Sequence, residues 1–358
     1  MTKQYRIIPK FGIPDLLKHE RIERPCIMSS LTLKEVRRAI SFANVYEILE
    51  DGSEILLDEY NYHLDLFSQN HVIVQANSDN VQDIIANAKE GDMIVLDEGV
   101  YEQNITLDKP IIINGNGKAI INSKINVTSE NVTITGCTFK ANNTMAESEK
   151  LIEVKSTGSF SLSNNIIYID NTKIRNGVVI NTEGVVNISG NTFEDPNSSV
   201  YNWIEVGLNT GKPIANGSKF NSNVFKGISR HNQFSFFTFE DNAEIEISGN
   251  LFEYSGNAIR ISNTSSANVK LIMDNNTYNA TDASDDYIYA GFLFFQDYSS
   301  GNNVMDFTNM NIQISNLIGP EGKKMLKNIP GTIDQIYYVY DNQDGIITDK
   351  NQPKITLS

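Results

Sequence analysis

A six-residue pattern returns six times between residues 134 and 278, and it limits that stretch to folds made by stacking. It consists of an apolar residue, a small polar residue, Gly or Asn, usually Asn, any residue, and then Phe, Tyr or Ile. The copies are ITGCTF at Ile134–Phe139, LSNNII at Leu162–Ile167, ISGNTF at Ile188–Phe193, FNSNVF at Phe220–Phe225, ISGNLF at Ile247–Phe252 and MDNNTY at Met273–Tyr278. They return at intervals of 26 to 32 residues. A degenerate seventh copy is expected at Phe307–Ile312, after an insertion. A coil that makes its turns at fixed angular positions explains such a period. The apolar residue points into the bore, Gly or Asn takes the turn conformation, and the next Asn stacks on its equivalent in the adjacent coil. Further strand-like runs lie between copies, at Val178–Ile180, Trp203–Val206, Phe236–Phe239 and Ala258–Ile261. The fold class is therefore all-β, a right-handed parallel β-helix over residues 71–315, with a β-sandwich of coincidental turns as the competing reading.

The start of the solenoid has its own pattern. Residues 80–89 read as a short amphipathic capping helix with Asn80 as N-cap, followed by a break at Gly91 and Asp92. Strand runs follow at Met93–Leu96, Gly99–Tyr101, Asn104–Leu107 and Pro110–Gly117. Residues 71–125 resemble in detail the first coils of pectate-lyase-like and NosD-like β-helix proteins, and the looser repeat continues that resemblance to about residue 315. The resemblance implies the fold and no particular activity.

Residues outside the solenoid divide into three parts. Residues 1–30 read as an extended arm, with Pro9, Pro14 and Pro25 forbidding a long helix, and too apolar to stay in solvent, so that it docks on a partner or, as the competing reading, folds back on its own module. Residues 31–70 read as a small α+β module: a capping box at Thr32–Glu35 opens a helix to about Phe42, and Val45–Leu49 and Glu54–Leu57 form a hairpin around Asp51 and Gly52. Residues 316–358 read as a C-terminal cap with a hairpin of Gln335–Tyr340 and Ile346–Ile347.

Charge excludes one class of partner. The chain of 358 residues carries a formal net charge of −15, which repels a phosphate backbone, so nucleic acid is not expected. The arm is locally basic, because Lys3, Arg6, Lys10, Lys18, Arg21 and Arg24 outnumber Asp15, Glu20 and Glu23. Cys26 and Cys137 alone make no disulfide framework. No apolar run reaches the ~18 residues of a membrane span, and the first residues lack a signal-peptide pattern, so a membrane is not expected as a partner.

The charged and aromatic residues are the ones that could carry chemistry. Polygalacturonase-like relatives carry clustered Asp residues with a Gly-His-Gly and an Arg-x-Lys, and pectate lyases carry a calcium-binding Asp cluster with an Arg base. Neither set is present, since Arg230–Asn232 is not flanked by glycines. The adjacent pairs Glu240/Asp241 and Asp285/Asp286 would each offer one carboxylate per strand face, whereas a glycosidase needs two across one bond. The run Asp341–Gly345 has part of a calcium loop without its distal Glu. No catalytic residue, metal or cofactor is expected. Trp203, Phe236, Asp241 and Arg260 are the candidate glycan contacts, with core and interface packing as the competing reading of the aromatic residues.

A long β-helix behind an apolar and basic arm resembles bacteriophage fibre, spike and capsid-decoration proteins, and Leu31–Tyr60 resembles N-terminal modules in structural proteins of crAss-like phages. That resemblance implies a virion component rather than an enzyme, assembled in the host cytoplasm and homo-oligomeric as a dimer or trimer. The arm would dock on capsid or other virion proteins through Arg6, Ile7, Ile8, Phe11, Ile13, Leu16, Leu17, Arg21 and Arg24. The β-helix would project as a rod of roughly 45 Å, taking about nine coils at ~4.8 Å each. The alternative is a receptor-binding spike or depolymerase acting on a host surface glycan.

Overall fold

A computed structural model describes residues 4–9, 26–29, 43–48, 54–57, 73–141, 145–169, 174–197, 200–207, 212–227, 232–253, 257–261, 267–279, 291–297, 307–319, 337–341 and 353–357. The chain forms two compact units, Met1–Ile73 and Val74–Ser358.

In the first unit four antiparallel strands lie in the order Cys26–Ser29, Gln4–Pro9, Ala43–Ile48, Glu54–Leu57. The last two make the hairpin expected from the Asp51–Gly52 turn signal. Residues 4–9 differ from the extended arm of the sequence reading. They pair with Cys26–Ser29 on one edge and with Ala43–Ile48 on the other, so both rows of backbone groups are used within the chain. The arm and the hairpin module are thus parts of one sheet. The helix expected after Thr32 lies outside the described residues.

The second unit is a parallel β-helix. Its strands stack into sheets of eleven, nine and eight, and successive strands of each sheet come from successive coils. Registers run without slippage through each column, as in Ile152, Val178, Ile204, Phe234, Ile259 and Leu293 of the nine-stranded sheet. Inward residues fill one continuous apolar core from Ala76 to Ile314. Its axis holds stacked rings, with Phe193 and Phe225 at 4.7 Å and Phe225 and Phe252 at 5.3 Å.

The repeat acts as its residue types require. The third position is left-handed in every copy, with Gly136, Asn164, Gly190, Ser222, Gly249 and Asn275 at φ from 53° to 66°. The fourth position forms a buried amide ladder. Asn165, Asn191, Asn223, Asn250 and Asn276 each accept, through Oδ1, the backbone N–H of the preceding coil at 2.9 to 3.1 Å. Nδ2 donates to the next Oδ1, as from Asn191 to Asn223 at 3.1 Å, and to a core-strand carbonyl, as from Asn223 to Ile188 at 2.9 Å. Buried amides are tolerated because their polar groups are satisfied along the stack.

Two ends depart from expectation. The seventh copy is not Phe307–Ile312. Met273 pairs with Ile314 and Asp274 with Ser315, and Asn316 has the left-handed φ of 50°, so the aligned copy is Ile314–Gly319, with Leu317 in the ladder position. Beyond it, Tyr337–Asp341 pairs in parallel with Gly291–Asp297, and Lys354–Leu357 pairs in parallel with Met310–Ser315. These strands continue two sheets of the solenoid where a terminal hairpin was expected. At the other end the helix runs Val81–Asn87, shorter than read, and buries Val81 and Ile85. Asn80 stands at the N-cap as expected, its carbonyl accepting from the Ile84 N–H at 2.9 Å, but its side chain makes no cap hydrogen bond; the carboxamide accepts from the Asn77 N–H at 2.8 Å instead. Gln82 exchanges two hydrogen bonds with the backbone of Thr106, closing the edge of the first strand in the nine-stranded sheet.

Candidate functional site

On the nine-stranded sheet, side chains that alternate with core residues point away from the bore. Glu205 lies between the core residues Ile204 and Val206, and Arg260 lies between Ile259 and Ile261. Ser235 separates them by register, Glu205 pairing with Ser235 and Ser235 with Arg260. Arg260 therefore reaches across one coil, and its Nη2 meets Glu205 Oε1 at 3.3 Å with both side chains 3% exposed. Asn202 Nδ2 donates to the same oxygen at 2.8 Å and to Asn176 Oδ1 at 3.2 Å. The Arg260 guanidinium lies 5.0 Å from the centre of the Phe237 ring.

This arrangement is polar, buried and incomplete. Among the described residues Glu205 Oε2 and Ser235 Oγ have no hydrogen-bond partner. Burial pushes the Glu205 carboxyl above its ordinary pKa, against the opposing pull of Arg260, Arg175 and Lys150. The same outward column holds Glu153 two coils away, since Glu153 pairs with Val179 and Val179 with Glu205. Its carboxyl is shifted down: burial would raise it, but Lys155 and Lys150 together outweigh that effect. Two carboxyls whose pKa values are pushed in opposite directions thus share one outward column.

The candidate glycan contacts are placed differently. Trp203 is fully buried, 5.4 Å from Phe193, and its ring passes so close to Gly177 that a Cβ there would meet it at 2.9 Å. Phe236 is also fully buried and packs at 4.9 Å on Phe220. Neither offers a ring to a sugar, because both are packed in the apolar core. Asp241 is exposed in a turn, where it accepts from the Asn268 N–H at 2.9 Å and from Asn242 at 3.0 Å, bonds that hold its carboxyl below the usual range. Its neighbour Glu240 accepts from the Asn216 N–H. Arg260 alone of the four belongs to the buried cluster. Of the arm residues, Arg6, Ile7 and Ile8 lie in the central strand of the first unit; Phe11, Ile13, Leu16, Leu17, Arg21 and Arg24 lie outside the described residues, as do Arg230, His231, Asp285 and Asp286. Among the described residues no three His, Cys, Asp or Glu side chains converge as metal ligands, and no helix is long and apolar enough to cross a membrane.

No protein-family model matches the chain, and no curated protein matches it. Similar solved structures include an alginate lyase from Paenibacillus sp. str. FPU-7, at 16% identity and a TM-score of 0.38, covering 70% of this chain and 95% of that one. A mannuronic acid specific polysaccharide family 6 lyase from human gut microbiota is similar at 13% identity and a TM-score of 0.42, covering 80% of this chain and 82% of that one. The family 6 alginate lyase AlyGC is similar at 14% identity and a TM-score of 0.33, covering 80% of this chain and 53% of that one. Nothing in these findings speaks for a phage or a virion. Each of these solved proteins is described as a lyase, and the expectation that the chain is no enzyme finds no support among them; it rested on missing motifs, and a constellation assembled across coils leaves no motif. What this chain has in common with those proteins is the parallel β-helix.

Proposed function

We propose that the β-helix acts on a polysaccharide along the outward face of the nine-stranded sheet, with the buried Glu205–Arg260 cluster holding that face in its working arrangement. The observation that carries this reading is the unused pair of oxygens, Glu205 Oε2 and Ser235 Oγ, in a buried cluster on the outward side of the sheet. A folded chain tolerates a buried polar atom without a partner only at a cost, and contact with a bound ligand is one way in which that cost is met. Two further features agree. Strands about 4.8 Å apart present side chains at a spacing close to the length of one sugar unit. Arg260, Arg175 and Lys150 act together on Glu205, forming a locally cationic stretch in a chain of net charge −15, which suits an acidic glycan.

The test uses the full chain with a panel of acidic and neutral polysaccharides, scoring reducing ends and unsaturated sugar products. Acidic polymers are expected to be cut, with Glu205→Gln lowering the rate by about 10²-fold or more while the far-ultraviolet circular dichroism is unchanged. Cleavage unaffected by Glu205→Gln, or no cleavage of any polymer, would refute the assignment.

A further inference from the structure

The outward face of the eight-stranded sheet differs in character from the other two. One of its columns, followed coil by coil from Val100 to Ile318, contains only Val, Ile, Leu and Thr. Val100 is 44% exposed, Ile166 48% and Ile318 61%. By contrast, the outward column of the nine-stranded sheet contains Glu153, Glu205 and Arg260, and that of the eleven-stranded sheet contains Ser163, Ser189, Asn221 and Asp274. An apolar stripe that crosses nine coils on a strongly acidic protein is the type of surface that association covers.

The neighbouring column identifies the occupant. Two residues along each strand, the side chains read Lys140, Tyr168, Glu194, Lys226 and Glu253 in successive coils, so charge alternates in sign along the rim of the stripe. A second copy laid side by side in the same direction and register would place Glu194 against Glu194 and Lys226 against Lys226. A copy turned end for end about a two-fold axis between the coils of Glu194 and Lys226 places Glu194 against Lys226 twice. The same axis sets Thr192 against Val224, Ile166 against Leu251 and Ile120 against Ile318 across the stripe. Such an isologous contact is self-complementary in both columns.

We infer that this sheet face is the dimer interface of the chain, the partner being a second copy in antiparallel orientation. Sedimentation equilibrium of the full chain should show a dimer, and Ile166→Glu with Leu251→Glu should raise its dissociation constant by at least about tenfold without changing the circular dichroism. Orientation is read from disulfide trapping. Ile166 and Leu251 are three coils apart in one chain, roughly 14 Å at the strand spacing, too far for a bond within a subunit. The double variant Ile166→Cys, Leu251→Cys should therefore form a covalent dimer under mild oxidation that the wild-type chain does not. A monomer at every concentration, a dimer indifferent to the two Glu substitutions, or failure of the Cys pair to cross-link the dimer would each overturn the inference.

Discussion

At the scale of single residues the Glu205–Arg260 pair determines both chemistry and stability. Each member is 3% exposed, so removing one leaves the other buried without its hydrogen-bonded partner. Arg260→Met should destabilise the chain by about 3–5 kcal/mol, because Glu205 loses its guanidinium partner while its desolvation remains. Adding Glu205→Leu should recover most of that loss, since two apolar residues of similar volume suit a buried site. Urea denaturation of the single and double variants measures the difference. A double variant no more stable than Arg260→Met would show that the pair is not the coupled unit described. Trp203 teaches the reverse lesson at the same scale: sequence left it between a glycan contact and core packing, and Gly177 beside it supplies the gap that its ring fills in the core.

At the scale of the element the amide ladder is the feature that sequence made most legible. One chemical rule, an amide in each coil bonding to the next, leaves the same residue type at the same phase, and the period survives insertions between copies. The ladder should also be cooperative. Asn223→Ala removes the acceptor of the Asn191 N–H and Nδ2 and the donor to the Ile188 carbonyl, leaving buried groups unsatisfied in two coils at once. A loss of about 2–4 kcal/mol is expected in urea denaturation, since each stranded buried group costs about 1–3 kcal/mol. A loss below ~1 kcal/mol would mean that water enters the stack and replaces the amide. Where the chemical rule changes, legibility ends. Leu317 occupies the ladder position of the last copy, so the pattern matched FTNMNI in place of ISNLIG, seven residues out of phase. The Glu205–Arg260 cluster was illegible for another reason, because its members lie 55 residues apart and meet only through the register of three coils. The hairpin at Asp51–Gly52 was legible from local turn chemistry, whereas the pairing of Gln4–Pro9 with two distant strands was not.

At the scale of the whole molecule the relevant physics is how a stack of coils ends. A solenoid offers an unpaired strand edge at each terminus, and such an edge invites pairing with other chains unless something covers it. The helix Val81–Asn87 meets this need at the start: Gln82 bonds both backbone groups of Thr106, and Lys109 bonds the carbonyls of Ala86 and Ala88. At the other end Tyr337–Asp341 and Lys354–Leu357 add one more strand to the nine- and eleven-stranded sheets. These segments therefore cover the edges of Gly291–Asp297 and Met310–Ser315, which carry core residues such as Phe292, Leu293, Ile312 and Ile314. A chain truncated after Gly319 should expose both edges together with that apolar surface. It is expected to keep its circular dichroism spectrum but to aggregate, with light scattering that increases with concentration where the full chain stays at one mass. A truncated chain that remains monodisperse would mean that the last two parallel strands protect nothing.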